Sequence, residues 1–301
     1  MEFQSNLKNK INNIEEVIKK FLPEEKGFQK TIFEACNYSL LAGGKRIRPL
    51  LMEEVYQLFG GTDRRDIEPF MVAIEMIHTS SLVHDDLPCM DNDEYRRGRK
   101  TTWVVYGYDM AVLTGDALLT FAFEVASKAF DTTKHPVLVG QAMKVLANKT
   151  GMFGMIGGQT VDVELTNKPV SREQLEFIYR LKTGALLEAS MMIGAILAGA
   201  SEEEIKEIEQ IAGNIGMAFQ IRDDILDLTS STEVLGKPVL SDEKNNKTTY
   251  VTFKGMEQAS KDVEDLSNDA IKAVTCLAKK HGCLEYTFLI QLIEFLITRE
   301  K

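Results

Sequence analysis

Apolar residues recur along this chain in steps of three and four, the spacing that lines one face of an α-helix. Ala259, Val263, Leu266, Ala270, Val274 and Leu277 step by 4, 3, 4, 4 and 3, which predicts a helix over 256–280 with one buried face. Leu284, Phe288, Leu292 and Leu296 continue the pattern and predict a last helix over 284–298. Pro69–His84 and Leu186–Gly199 are apolar almost all round, as helices buried on every side are. Breaks are expected at Leu22-Pro23, Gly60-Gly61, His135-Pro136, Lys168-Pro169 and Gly236-Lys237-Pro238. Ser171 with Gln174, and Ser201 with Glu204, have the capping-box spacing that opens helices. No Asn-Gly or Asp-Gly pair signals a hairpin. The pattern predicts an all-α chain, a single domain over residues 1–301 built as a bundle of roughly ten or more helices.

Composition narrows the function. Of 301 residues, 45 are Asp or Glu and 35 are Lys or Arg, a net charge of −10 that argues against nucleic-acid or anionic-membrane partners. The longest stretch without charge, Ala189–Ser201, is shorter than the ~18 residues that suggest a membrane-spanning helix. The N-terminus shows no apolar signal core, and Cys36, Cys89, Cys276 and Cys283 form no CxxC pair. Free thiols in a reducing cytoplasm are the expectation.

Against that acidic background two motifs stand out. Asp85, Asp86, Asp91, Asp93 and Glu94 crowd the segment after an apolar helix, a density of hard oxygen donors suited to Mg²⁺ or Mn²⁺. On a regular helix Asp85 and Asp91 would lie about 120° apart, so a shared ion requires deformation, for which Pro88 supplies a reason. An EF-hand register fails, because Arg96 and Thr102 occupy its Gly and Glu positions. The second motif, Asp223-Asp224-Ile-Leu-Asp227, puts two carboxylates one turn apart on one face, unfavourable without a cation. Positive charge clusters at Gly43-Gly-Lys-Arg-Ile-Arg-Pro49 and Arg96-Arg-Gly-Arg-Lys100, with Lys182, Lys237 and Lys247 beyond. Carboxylates for metal, metal for phosphate and Arg forks for the remaining anion shell make a Mg²⁺–polyphosphate site. Glu75-Met-Ile-His78 matches a di-iron Glu-x-x-His motif, but no second copy exists.

With these motifs, and with Gly157-Gly-Gln-Thr-Val-Asp162 and Lys182-Thr-Gly184 in order between them, the chain resembles the short-chain trans-isoprenyl (polyprenyl) diphosphate synthases of the bacterial farnesyl/geranylgeranyl type. The resemblance implies an isoprenoid-synthase-like bundle around a central cavity, and head-to-tail condensation of isopentenyl diphosphate with an allylic diphosphate. It implies about three Mg²⁺ ions per site, with Mn²⁺ as a substitute, held by Asp85, Asp91, Asp223 and Asp227. Lys45, Arg48, His78 and Arg97 would hold isopentenyl diphosphate; Arg96, Lys182, Lys237 and Lys247 would hold the allylic diphosphate. Lys182, Thr183 and Gln220 would act at the reacting region. A homodimer is also implied. The resemblance makes Ser80 and Ser81 the floor of the product pocket; their small size favours geranylgeranyl over farnesyl diphosphate. Arg99-Lys-Thr-Thr-Trp103 departs from the family pattern Lys-Pro-Thr-Asn-His, and Asn246 replaces a common Gly. A terpene cyclase is disfavoured by the second motif, and a non-catalytic subunit by the intact aspartates.

Overall fold

A computed structural model describes residues 2–229 and 248–298. Its packing divides the chain into two compact units, Met1–Glu53 with Thr62–Met143 and Glu54–Gly61 with Lys144–Lys301. Two boundaries fall within α3 (Ile47–Leu58) and α7 (Pro136–Thr150), and the third lies after α3, between Gly61 and Thr62.

The first unit holds α1 (Glu2–Phe21), α2 (Lys30–Leu40), α4 (Arg64–Asp85), the short α5 (Thr102–Tyr106) and α6 (Tyr108–Ser127). Asp63 caps α4 by accepting from the Arg65 N–H, and the helix then runs through Pro69. Its Phe70, Met71, Ile74, Met76 and Ile77 are fully buried. They pack chiefly along α6, whose Ala111, Ala122, Val125 and Ala126 permit a close approach. Between α4 and α5 lie the only strands among the described residues, a two-stranded hairpin of β1 (Tyr95–Arg96) and β2 (Arg99–Lys100). Arg97 and Gly98 at its tip have φ of 53° and 73°, the paired positive values of a tight hairpin turn. The sequence reading missed it because the signal here is Arg-Gly.

The second unit contains α8 (Met155–Glu164), α9 (Arg172–Ile178), a π-helical turn at Tyr179–Gly184, α10 (Ala185–Leu197), α11 (Glu202–Thr229), α12 (Tyr250–Lys254), α13 (Met256–Lys280) and α14 (Thr287–Thr298). Every residue of α10 is buried, as its uniform apolarity predicts. The predicted stripe on α13 is buried at Ala259, Val263, Ala270, Val274 and Leu277, with Leu266 half-buried. Both capping boxes form: Ser171 with Gln174, and Ser201 with Glu204. The last helix begins at Thr287, and Leu284 lies outside it, 90% exposed, so the predicted stripe was one turn too long. The expected break at Gly236-Lys237-Pro238 lies outside the described residues.

Among the described residues one helical run, Tyr108–Asp131, is long and apolar enough to cross a membrane, with a mean hydropathy of 1.4. Counting uncharged stretches alone passed over it. Its apolarity serves packing against α4 and α2.

Candidate active site

In the first unit α4 ends at Asp85, and the chain folds straight back. The Leu87 N–H donates to the His84 carbonyl and the Asp91 N–H to the Asp85 carbonyl at 2.8 Å. The helix therefore stops and turns around Pro88, where the sequence called for a deformed helix, and Asp91 returns beside Asp85. Asp85 is half-buried and Asp91 exposed. His84 anchors the helix end: its Nε2 donates to the Val112 carbonyl at 3.1 Å, and a Cβ on Gly115 would overlap the imidazole. Gly115→Ala is therefore expected to push α4 and α6 apart, lowering stability by about 1–3 kcal/mol, measurable as a lower Cm in urea.

The hairpin sends its two arginines different ways. Arg96 Nε donates to Asp86 Oδ1 at 2.7 Å, and Nη2 lies 2.6 Å from the same oxygen. Burial raises the Asp86 pKa in spite of that arginine. Arg97 donates to the Gly43 carbonyl, and a Cβ on Gly44 would come within 2.7–2.9 Å of its guanidinium. The divergent Arg99–Trp103 segment is firmly held. Arg99 lies 4.1 Å over the Tyr38 ring, and Tyr38 Oη donates to the Lys100 carbonyl at 2.7 Å. Thr101 Oγ1 and Trp103 Nε1 both donate to the Asp93 carbonyl, at 2.8 and 2.9 Å. The departure from the family pattern thus braces the end of the acidic loop.

The three cations after Gly43-Gly44 have different roles. Arg46, with φ of 48°, is turned fully inward and hydrogen-bonds Glu15, Glu75 and the Leu40 carbonyl at 2.7, 2.8 and 2.7 Å. It is a strut. Lys45 is exposed and Arg48 half-buried. Arg48 Nε is buried without a hydrogen-bond partner, and burial lowers its guanidinium to about 10, with Glu75 opposing and Arg97 adding to the effect. Burial holds His78 well below the usual imidazole range, and Arg48, Arg97, Arg46 and Arg96 reinforce this. Glu75, of the Glu-x-x-His match, is taken up in the ion pair with Arg46. The remaining excess of positive charge is the complement of an anion.

Ser80 is buried on α4, its Oγ donating to the Ile77 carbonyl at 2.7 Å, and Ser81 donates to the His78 carbonyl at 2.8 Å.

In the second unit the π turn carries Lys182 and Thr183. Lys182 Nζ donates to Asp162 Oδ2 at 2.6 Å. A Cβ on Gly158 would strike the Lys182 backbone, and one on Gly216 would sit 3.0 Å from Gly184 Cα. The Gly157–Asp162 signature therefore has two tasks: a seat for the π turn and a counter-ion for its lysine. Lys182, Thr183, Gln220, Asp162 and Asp224 line a cavity of about 140 Å³. On α11, Asp223 is half-buried and Asp227 buried. Asp224, to which the sequence reading gave no role, accepts through Oδ2 from Tyr179 Oη at 2.6 Å and from the Tyr250 N–H at 2.7 Å. Lys237 and Lys247 lie outside the described residues. Among those described, no three carboxylate, imidazole or thiol side chains converge at metal-binding spacing. Paired or single carboxylates that rely on substrate oxygens to complete the shell are characteristic of Mg²⁺ at phosphate sites.

A family model described as polyprenyl synthetase matches residues 29–287. A geranylgeranyl diphosphate synthase of Cyanophora paradoxa is 42% identical over 290 residues, covering 96% of this chain and 93% of that protein. A chloroplastic heterodimeric geranylgeranyl pyrophosphate synthase large subunit of Arabidopsis thaliana is 48% identical over 243 residues, 79% of this chain and 65% of that protein. Among solved structures, an FPP/GFPP synthase from Zymomonas mobilis superimposes with a TM-score of 0.85 at 30% identity, covering 99% of both chains. A Helicobacter pylori geranyltransferase complexed with magnesium and isoprenyl diphosphate gives 0.81 at 31% identity, over 99% of this chain and 97% of that one. The signatures of both units fall inside one continuous match, and the chain belongs to the polyprenyl synthetase family.

Proposed function

We propose that this protein is a Mg²⁺-dependent prenyltransferase that condenses isopentenyl diphosphate with dimethylallyl, geranyl or farnesyl diphosphate, ending at geranylgeranyl diphosphate. Arg48 carries the reading: a buried Nε without a partner, beside Arg97 and a neutral His78, is a cationic seat that a diphosphate completes. Asp85, Asp91, Asp223 and Asp227 would hold about three Mg²⁺ ions, with Mn²⁺ a substitute, supplying charge stabilisation to the departing pyrophosphate. The chain's own groups do the rest. Lys45, Arg48, His78 and Arg97 fix isopentenyl diphosphate. Arg96, Lys182, Lys237 and Lys247 grip the allylic diphosphate, which requires Arg96 to loosen from Asp86 and Lys182 from Asp162. As the allylic C–O bond breaks, the Thr183 hydroxyl and the Lys182 carbonyl offer preorganised dipoles to the carbocation, with Gln220 beside them. The isopentenyl double bond attacks C1, and a proton then leaves to pyrophosphate.

Both units act as one catalytic domain, a reading supported by the single family match across them. Exposed Tyr108 and Leu113 on α6 suit a second copy in a homodimer. Four unpaired cysteines suit a reducing, cytoplasmic setting. The geranylgeranyl product is favoured by the small Ser80 floor and by the geranylgeranyl diphosphate synthases among the relatives.

Purified protein given isopentenyl diphosphate, Mg²⁺ and each allylic starter should yield geranylgeranyl diphosphate by chromatography. No turnover by the chain alone would favour the non-catalytic partner subunit of a heteromeric synthase, the alternative that the intact aspartates disfavour; one relative is the large subunit of a heterodimeric synthase. Arg48→Ala should chiefly raise the KM for isopentenyl diphosphate, and Arg96→Ala the KM for the allylic substrate. An effect of both on one substrate would refute that division. Ser80→Tyr fills the pocket floor and should shift products to shorter chains; an unchanged product distribution would place the length determinant elsewhere.

A further inference from the structure

We propose that Asp224, the middle carboxylate of the second motif, is a positioning residue for the π turn that carries Lys182 and Thr183, and not a metal ligand. The inference rests on the catalytic reading above and refines it. Asp223 and Asp224 are indistinguishable in sequence, but on α11 they project about 100° apart. Asp223 is half-buried, whereas Asp224 is only 4% exposed. Its Oδ2 accepts two strong hydrogen bonds, from Tyr179 Oη at 2.6 Å and from the Tyr250 N–H at 2.7 Å. Tyr179 is itself buried and is the first residue of the π turn, three before Lys182.

A π turn inserts a residue into the helical ladder and persists only where its surroundings hold it. Gly158 seats the backbone at Lys182, Gly216 seats Gly184, and Arg180 reaches Glu188 at 3.7 Å. The Tyr179–Asp224 bond fixes the start of the turn to α11, the helix that bears Asp223 and Gln220. It therefore sets the spacing between Thr183 and the second motif within this unit. The same carboxylate also pins the first N–H of α12.

Tyr179→Phe removes one hydroxyl and little else. If Asp224 positions the turn, kcat should fall by roughly 10–100-fold through misplacement, while the KM for isopentenyl diphosphate and the Mg²⁺ concentration for half-maximal rate stay unchanged. Asp224→Asn retains an acceptor oxygen and should be milder than Asp224→Ala, again with unchanged Mg²⁺ dependence. The double variant Tyr179→Phe/Asp224→Asn should be scarcely worse than the worse single one, because both act through one bond. A raised Mg²⁺ requirement in Asp224→Asn, with wild-type kcat in Tyr179→Phe, would overturn the proposal. So would a lower Tm with kcat per folded enzyme intact, since that marks a merely structural bond. Wild-type turnover and its loss in Asp223→Asn test the catalytic reading separately.

Discussion

Asp85→Asn and Asp223→Asn should each lower kcat by about 10²–10³-fold or more, the loss expected when a group stabilising leaving-group charge is removed, without lowering thermal stability. The local physics makes the two readouts diverge. Asp85 is the last residue of α4 and Asp86 its C-cap, where a negative charge opposes the helix dipole. Neutralising it relieves about 0.3–1 kcal/mol of unfavourable interaction at low salt. Asp223 sits one turn before Asp227 on the same face, and losing one of two like charges relieves about 0.2–0.5 kcal/mol. Both of these local terms favour the neutral side chain, so a loss of turnover reports on the ligand and not on helix formation. A melting curve at or above wild type together with lost turnover would support this; near-wild-type rates in both variants would sink the assignment of the two motifs.

The sequence disclosed some of this site and concealed the rest for identifiable reasons. Periodicity found the buried face of α13, because a docked amphipathic helix must repeat its apolar residues. It overran at Leu284, which continues the spacing but precedes the helix. Lys45, Arg46 and Arg48 are alike as letters. The left-handed backbone at Arg46 turns that residue alone into the ion pairs with Glu15 and Glu75. The hairpin that separates Arg96 from Arg97 depends on positive φ at Arg97, a conformation that sequence signals only weakly outside Gly, Asn and Asp. The division of labour between Asp223 and Asp224 depends on a tyrosine 45 residues away in the chain. Pattern reading sees contacts within a turn or two and is blind to such distant partners.

The same blindness hides the second unit's main electrostatic commitment, which gives the last prediction. Lys149 at the end of α7 bonds both Glu188 on α10 and Glu209 on α11, the latter at 2.6 Å. Glu188 is 1% exposed at its side chain, while Glu209 keeps 33%. Burial works against the Lys149 charge, but the two carboxylates outweigh it and raise its pKa. Its contribution should be complete below the ordinary lysine value of 10.5 and fade as pH rises through the higher folded value. Lys149→Met strands the buried Glu188, whose other ion-pair partner among the described residues is Arg180 at 3.7 Å. Removing one partner of a buried pair costs about 3–5 kcal/mol, so Tm should fall by about 10 °C for a chain of this size. Adding Glu188→Leu removes the stranded charge, and Glu209 can turn to water, so the double variant should regain most of the loss. Strict additivity of the two substitutions in a denaturant titration would show that Lys149 and Glu188 do not depend on each other.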